Sequence, residues 1–259
     1  MIIESIPKMV GMAYAVIASV AIAFLLYKGK FSRRAGYVFL AVSTAIGFLA
    51  FAPMLPVQMQ ALLLGNTGKL GVPLAMAIVV LLLFLALAFV LGRTFCGYVC
   101  PIGAPQELLY RLPVKKWRIK SKALPVAFRL IFLLAFVAAA LALSTGLLKY
   151  LGIRAFFHLE FSSAYFYVFL ALLVASASVY RPFCRFLCPY GALLSLASTG
   201  GLFKLRRNDD CTYCGKCEDA CPTNEAGETD LKQECYMCNR CKDACPADAV
   251  HYSKKRSEV

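Results

Sequence analysis

The chain has 259 residues, of which 60% are apolar and 16% charged, with a formal net charge of +14. Those proportions exclude an ordinary soluble globule and place most of the chain in a lipid bilayer. The positive charge does not read as a nucleic-acid footprint, because it is divided: residues 1–207 hold 21 basic and 3 acidic side chains, and residues 208–259 hold 11 acidic and 7 basic. A basic membrane collar under an acidic head accounts for that division, through docking of one on the other and attraction to anionic lipid.

Five segments are expected to cross the membrane, given the roughly 20 apolar residues that a 30 Å hydrocarbon core requires: residues 9–27, 35–54, 72–91, 127–147 and 164–180. The first does not read as a signal peptide, since its charges, Lys28, Lys30, Arg33 and Arg34, follow the apolar run instead of preceding it. After those four basic residues, the second loop carries Lys69 alone, the stretch from Arg93 to Arg129 carries eight, and the next loop carries Lys149 and Arg154. Positive loops face the cytoplasm, so the amino terminus is expected outside the cell membrane and the carboxyl-terminal head in the cytoplasm.

Within this membrane part the sequence repeats. At an offset of 88, Arg93, Phe95, Cys96, Cys100, Pro101, Gly103, Ala104 and Leu108 superimpose on Arg181, Phe183, Cys184, Cys188, Pro189, Gly191, Ala192 and Leu196. Two spans separate the copies, so both C-x3-C-P motifs emerge on the same face and the halves are parallel repeats about an axis along the membrane normal. The four thiols are expected to meet near that axis. A residue before proline avoids the helical region, so Cys100 and Cys188 should lie where the span breaks. Pro101 and Pro189 then suit the first position of a new helix, whose positive end favours a thiolate. Three readings of Cys96, Cys100, Cys184 and Cys188 stay open: small apolar packing groups, a third metal centre shared by the repeats, iron–sulfur or another metal, and a redox dithiol or Cu(I)-handling site.

The other eight cysteines form two C-x2-C-x2-C-x3-C-P runs, Cys211, Cys214, Cys217, Cys221 and then Cys235, Cys238, Cys241, Cys245. In this spacing the first three cysteines of each run hold one [4Fe–4S] cluster and the fourth crosses to the other. One cluster is therefore expected on Cys211, Cys214, Cys217 and Cys245, and the second on Cys235, Cys238, Cys241 and Cys221. Structural zinc is disfavoured because its knuckles are pairs divided by a longer insert, and disulfides because the thiols are expected in the cytoplasm.

Other residues carry weaker signals. His158 and Glu160, beside Phe156, Phe157 and Phe161, read as an interfacial aromatic belt or as a quinol pocket with a proton acceptor. Met54, Gln58 and Met59 fall in the other outside loop, and His251 reads as surface. No Gly-rich phosphate loop is present.

In the order spans, FCGYVCP, spans, FCRFLCPYG, then two ferredoxin runs, the chain resembles the NapH/MauN-type polytopic membrane ferredoxins over essentially its whole length. The resemblance extends to the membrane half of the nitrous-oxide reductase maturation flavoprotein and to a cytochrome oxidase assembly ferredoxin. It implies electron transfer between membrane quinol and a redox partner, or delivery of electrons for metalloenzyme maturation, and leaves the role of the C-x3-C-P cysteines open. Unlike the flavoprotein, this sequence is expected to carry no amino-terminal flavin domain.

The expected fold is thus mainly α: a transmembrane domain over residues 1–207, with a lone first helix and repeats over about 35–112 and 126–200, then a small α+β two-cluster ferredoxin domain over 208–259. The expected function is electron relay between the quinone pool, or another donor or acceptor, and partner redox subunits, as in a quinol dehydrogenase. The alternatives are a metal-ion reductase and a redox assembly or regulatory protein.

Overall fold

Apolar segments in lipid must satisfy their own backbone groups, and here they do so as helices. The computed structural model describes residues 2–52, 54–65 and 74–254, with side chains from residue 9. The membrane part runs α1 (Ile2–Tyr27), α2 (Arg33–Ala50), α3 (Leu55–Leu63), α4 (Leu74–Leu91), α5 (Gly103–Tyr110), α6 (Ala123–Leu143), α7 (Ile153–Phe157), α8 (Ala164–Ala175) and α9 (Pro189–Thr199). Two π-helical turns, Phe95–Val99 and Phe183–Leu187, occupy equivalent places in the repeat. The head consists of β1 (Phe203–Arg207), α10 (Lys216–Ala220), α11 (Arg240–Asp243) and β2 (Val250–Lys254).

Among the described residues, four helices are long and apolar enough to cross a membrane, within 9–27, 33–63, 74–91 and 123–143. Each spanning segment packs with a narrow stripe. In α4 the stripe is Ala77, Leu81, Phe84 and Ala88, while Val79, Leu82 and Phe89 stay exposed for lipid. In α1 it is mostly small, including Ala15, Ala18, Ser19 and Ala23, which suits close helix contact in a medium with no hydrophobic drive between helices. The fifth expected span, 164–180, is shorter than expected. Its helix α8 has 12 residues, about 18 Å at 1.5 Å per residue, and then leaves the helical ladder: Ser178 gives its carbonyl to the Trp117 N–H at 2.9 Å. Hydropathy marks which residues lipid tolerates, not where backbone bonds change partner. The start of the expected third span (72) and the Lys69 loop lie outside the described residues.

The head is folded onto one end of the helices. β1 pairs antiparallel with β2, Phe203 opposite Lys254 and Arg207 opposite Val250, so the head's sheet begins ahead of residue 208. Basic residues of the collar hold it: Arg118 donates to the carbonyls of Glu218 and Cys221, each at 3.0 Å, Lys122 pairs with Asp230, and Arg33 pairs with Asp243 at 2.7 Å. The Tyr252 hydroxyl caps the end of α4 by donating to the Leu91 carbonyl at 2.8 Å. At the opposite helix ends α3 meets the 147–149 turn, where Gln60 Oε1 accepts the Leu148 N–H at 2.9 Å.

Candidate metal centres

The two cysteine runs of the head begin 24 residues apart, and the backbone repeats at that offset. Tyr213 and Met237 both have φ of 54°, Gly215 and Asn239 are left-handed at 73° and 63°, and Asn224 and Asp248 at 58° and 46°. The fourth cysteine of each run accepts a backbone N–H four residues on, Glu225 N to Cys221 Sγ and Ala249 N to Cys245 Sγ, both at 3.3 Å. Left-handed residues beside the cysteines thus give both runs the same local turns.

A small cavity of about 20 Å³, partly open to solvent, is lined by Cys221, Cys235, Cys238 and Cys241 among others. One run contributes three of these thiols and the other contributes its fourth. Burial pushes Cys235 up to about 12, with the neighbouring Cys221 and Cys238 adding to it. Cys241 is raised by burial and by Cys235, Cys238 and Cys221. Such thiols do not ionise side by side unless a cation sits among them. At the other run Cys214 is exposed, and the Lys216 N–H, followed by the Thr212 hydroxyl, lowers its pKa.

The C-x3-C-P motifs behave as their prolines dictate. Each first cysteine sits in a π turn, a feature frequent at functional sites. Cys100 and Cys188 are extended, with φ, ψ of −65°, 119° and −86°, 107°. Pro189 opens α9, and the Cys188 sulfur caps it by accepting the Gly191 N–H at 3.2 Å. Pro101 instead begins a turn, and α5 starts at Gly103. The two motifs lie against each other. A Cβ on Gly103 would stand 3.5 Å from Cys184 Sγ, and Gln106 Nε2 lies 3.5 Å from the same sulfur, so the second motif packs against the start of α5. Burial opposes the pull of the helix ends toward thiolates, pushing Cys184 up to about 11 and Cys100 and Cys188 well above the usual thiol value, with mutual repulsion of the thiols contributing to each.

Between these thiols and the head lies a charged layer that the motifs do not announce. Among the described residues the largest fully buried side chains include four arginines, Arg93, Arg129, Arg181 and Arg185. Two buried carboxylates meet them. Glu107 is bound by Arg181 at 3.0 Å, Arg240 at 2.6 Å and Arg111 at 3.3 Å. Although burial pushes it up, those arginines hold it down to about 2. Glu234 is bound by Arg93 at 3.1 Å, by Arg129 at 2.6 Å and by the Ser195 hydroxyl at 2.6 Å. A third buried carboxyl, Glu225, lies with Lys122 and Lys232 and is pushed up to about 7 by burial and by Asp230 and Glu234, so it offsets the arginines little.

The repeat explains this arrangement. Arg93 and Arg181 are equivalent at the offset of 88, and so are Glu107 and Ser195. Arg181 of the second repeat finds Glu107 of the first. The residue equivalent to Glu107 is Ser195, which is neutral, and Glu234 of the head supplies the carboxylate that Arg93 meets, accepting from Ser195 as well. The head is therefore keyed to one of two nearly equivalent positions. The signal readable in the sequence was an arginine and a carboxylate at repeat-related places, with one carboxylate lost.

Four buried guanidinium groups against two buried carboxylates leave an excess of buried positive charge beside four thiols, and the Nε atoms of Arg93, Arg129 and Arg185 have no hydrogen-bond partner. Uncompensated buried cations are strongly destabilising; an anionic group held by thiolates would balance them, and the donor set fits one. Among the described residues no three His, Cys, Asp or Glu side chains converge on one ion-sized point. A single zinc ion requires such convergence, with bonds of about 2.0–2.3 Å, whereas the ligands of a cubane each bind a different iron.

The other candidates are not brought into these sites. His158 packs 5.0 Å from the Phe51 ring among Phe48, Phe156 and Phe157, Met54 and Met59 are buried in the helix core, and His251 is an exposed strand residue.

Comparison with known proteins supports iron–sulfur binding. A family model described as a 4Fe-4S binding domain matches residues 73–120 and again 164–208, one match on each C-x3-C-P motif, and a second model of that description matches 207–224. The chain is 36% identical to "Uncharacterized protein MJ0750" of Methanocaldococcus jannaschii over 62% of this chain and 68% of that protein. It is 30% identical to the "Putative electron transport protein YccM" of Escherichia coli K12, covering 61% of this chain and 49% of that one. It is 29% identical to the "Methylamine utilization ferredoxin-type protein MauN" of Paracoccus denitrificans, covering 59% and 56%. The chain thus spans about half the length of the latter two. No solved structure matches it.

Proposed function

The chain belongs to the MauN/NapH-type membrane ferredoxins, iron–sulfur electron-transfer proteins that work with redox partners at a membrane, and we propose that it relays electrons between the quinone pool and a partner redox complex through three thiol sites in series. The inner head site comprises Cys235, Cys238, Cys241 and Cys221, the outer head site Cys211, Cys214, Cys217 and Cys245. The third comprises Cys96, Cys100, Cys184 and Cys188 at the repeat axis. When bound, iron–sulfur clusters exchange single electrons at potentials set by net charge, burial and hydrogen bonds to sulfur.

The chain's own residues order the three sites. Gly97 lets the head's backbone close on the first motif, since a Cβ there would stand 2.2 Å from the Tyr236 carbonyl oxygen. Arg185, the equivalent residue of the second motif, reaches the carbonyl of Pro222 at 3.5 Å. Both contacts fall beside ligands of the inner site, which therefore faces the membrane domain. The exposed Cys214 marks the outer site as the one a soluble partner meets.

The observation carrying the third centre is the excess of buried arginine beside four buried thiols. Iron and acid-labile sulfide, measured on the full chain purified without oxygen, should approach about 12 iron atoms per chain, four for each cubane. A Cys96→Ser/Cys184→Ser protein should retain about 8. Unmutated protein already at about 8, unchanged by the substitutions, would leave those thiols as redox or packing groups.

The ferredoxin domain, 208–259 with β1 as its partner strand, belongs in this reading to the cytoplasmic side of the cell membrane. In support, the basic collar loops and the head share one end of the helices. A reporter fused after residue 259 should be cytoplasmic, and one inserted near Arg154 or Lys69 should be outside. A carboxyl terminus found outside would reverse the orientation.

A further inference from the structure

Two tyrosines cross the layer between head and membrane domain in opposite directions. Tyr236, next to the inner-site ligand Cys235, reaches out of the head. Its ring lies between the repeat-equivalent arginines, 4.3 Å from the Arg93 guanidinium carbon and 4.9 Å from that of Arg181, and so falls on the repeat axis. Tyr180, next to Arg181, reaches out of the membrane domain, with its ring 5.8 Å from that of Tyr236. Both side chains are buried, and neither hydroxyl has a hydrogen-bond partner. A buried hydroxyl without a partner is costly and calls for an explanation.

The surroundings of the two phenols differ. After burial, the groups acting on Tyr236 are Arg93, Glu234, Arg129 and the Cys184 thiol of the membrane domain. Those acting on Tyr180 are Glu107, Arg181, the Cys238 thiol of the head and Arg240. Tyr180 lines the inner-site cavity beside Cys235, Cys238 and Cys241, and the Tyr236 ring rests on Arg181, which donates to the carbonyls of Cys96 and Gly97, so each phenol lies beside the other layer's cysteine segment with its one hydrogen-bond donor unused.

We propose that Tyr236 is the head's hydrogen-bond donor to the C-x3-C-P sulfurs, with Tyr180 its counterpart toward the head's inner site, so that docking of the head sets the potential of the membrane centre. The inference rests on the reading of those thiols as a metal centre. A donated hydrogen bond stabilises the more negative, reduced form and raises the potential. Both tyrosines act as positioning residues: they hold a dipole at sulfur and undergo no chemical change. The cation–π contacts with Arg93 and Arg181 fix the Tyr236 ring on the axis.

The test is a redox titration of the full chain, followed by electron paramagnetic resonance. Tyr236→Phe keeps the ring between the arginines and removes only the hydroxyl. It should shift the one-electron equilibrium of the membrane centre about tenfold toward oxidation, 59 mV to lower potential, and leave the outer head cluster unmoved. Tyr180→Phe should lower the inner head cluster and leave the membrane centre where it was. A fluorinated tyrosine at position 236, a stronger donor with the same ring, should move the membrane centre the opposite way, which a packing role would not do. A membrane centre present in all these proteins at one potential overturns the inference alone. Unmutated protein with iron for two clusters only overturns the third-centre reading and this inference with it.

Discussion

A Glu234→Gln protein should fail to hold its ferredoxin head on the membrane domain. Glu234 is the carboxylate for two buried guanidinium groups, Arg93 at 3.1 Å and Arg129 at 2.6 Å, and it also accepts from Ser195. A neutral amide leaves both arginines without a counter-charge in a site from which water is excluded. Removing one partner of a buried pair costs about 3–5 kcal/mol. Because about 1.4 kcal/mol is tenfold, docking should weaken by roughly two to three and a half orders of magnitude. Hydrogen exchange reads this directly: amides of β1 and β2 and the 216–224 segment should lose protection, while those of α4 and α6 keep it. Ser195→Glu provides the converse. It gives Arg93 an acid from its own domain at the place where the repeat lost one, and it sets that acid against Glu234, so it too should release the head. Unchanged protection of the head in both proteins would refute the keyed docking.

The second large effect concerns Cys221. If the fourth cysteine of each run crosses, Cys221→Ser should remove the cluster whose other ligands begin at Cys235 and spare the one beginning at Cys211. Support comes from the cavity lined by Cys221, Cys235, Cys238 and Cys241 and from the electrostatic hold of Cys221 on Cys235 and Cys241. Iron should fall by about four atoms per chain, one cubane. The magnetic broadening that two neighbouring reduced clusters impose on each other should vanish. Loss of the Cys211 cluster with the other intact would sink the crossed assignment. As the inner site lies against the membrane domain, this variant should also interrupt transfer between membrane and head, although the outer cluster survives.

Much of this was legible in the residues themselves. The C-x2-C-x2-C spacings needed no fold to be read, because a tight loop of a few residues carries its ligands wherever the domain goes. The break at Cys100 and Cys188 followed from the proline after each. The repeat at 88 implied that the two motifs would share a face. Where the reading went astray, a tertiary effect outweighed a local one. The helix ends at the C-x3-C-P cysteines were expected to favour thiolates, yet the assembled motifs bury these thiols, and burial pushes the other way. The span expected over 164–180 has the hydropathy for it, but its last residues turn out of the helix, and Ser178 gives its carbonyl to the Trp117 N–H.

What the sequence determined by itself is therefore what depends on neighbours along the chain or on transfer to lipid: the cysteine spacings, the long apolar helices, the repeat, and the division of charge between collar and head. Only the tertiary structure decided which half of the repeat receives the head, since Arg93 and Glu234 are 141 residues apart and nothing local marks either as the other's partner. It alone also put Tyr236 between two arginines of different repeats and left two buried phenols without hydrogen-bond partners between the layers. The physical reason is common to all three. Burial multiplies the strength of charge and hydrogen bonding, and burial belongs to the assembled layers, not to any segment of the chain.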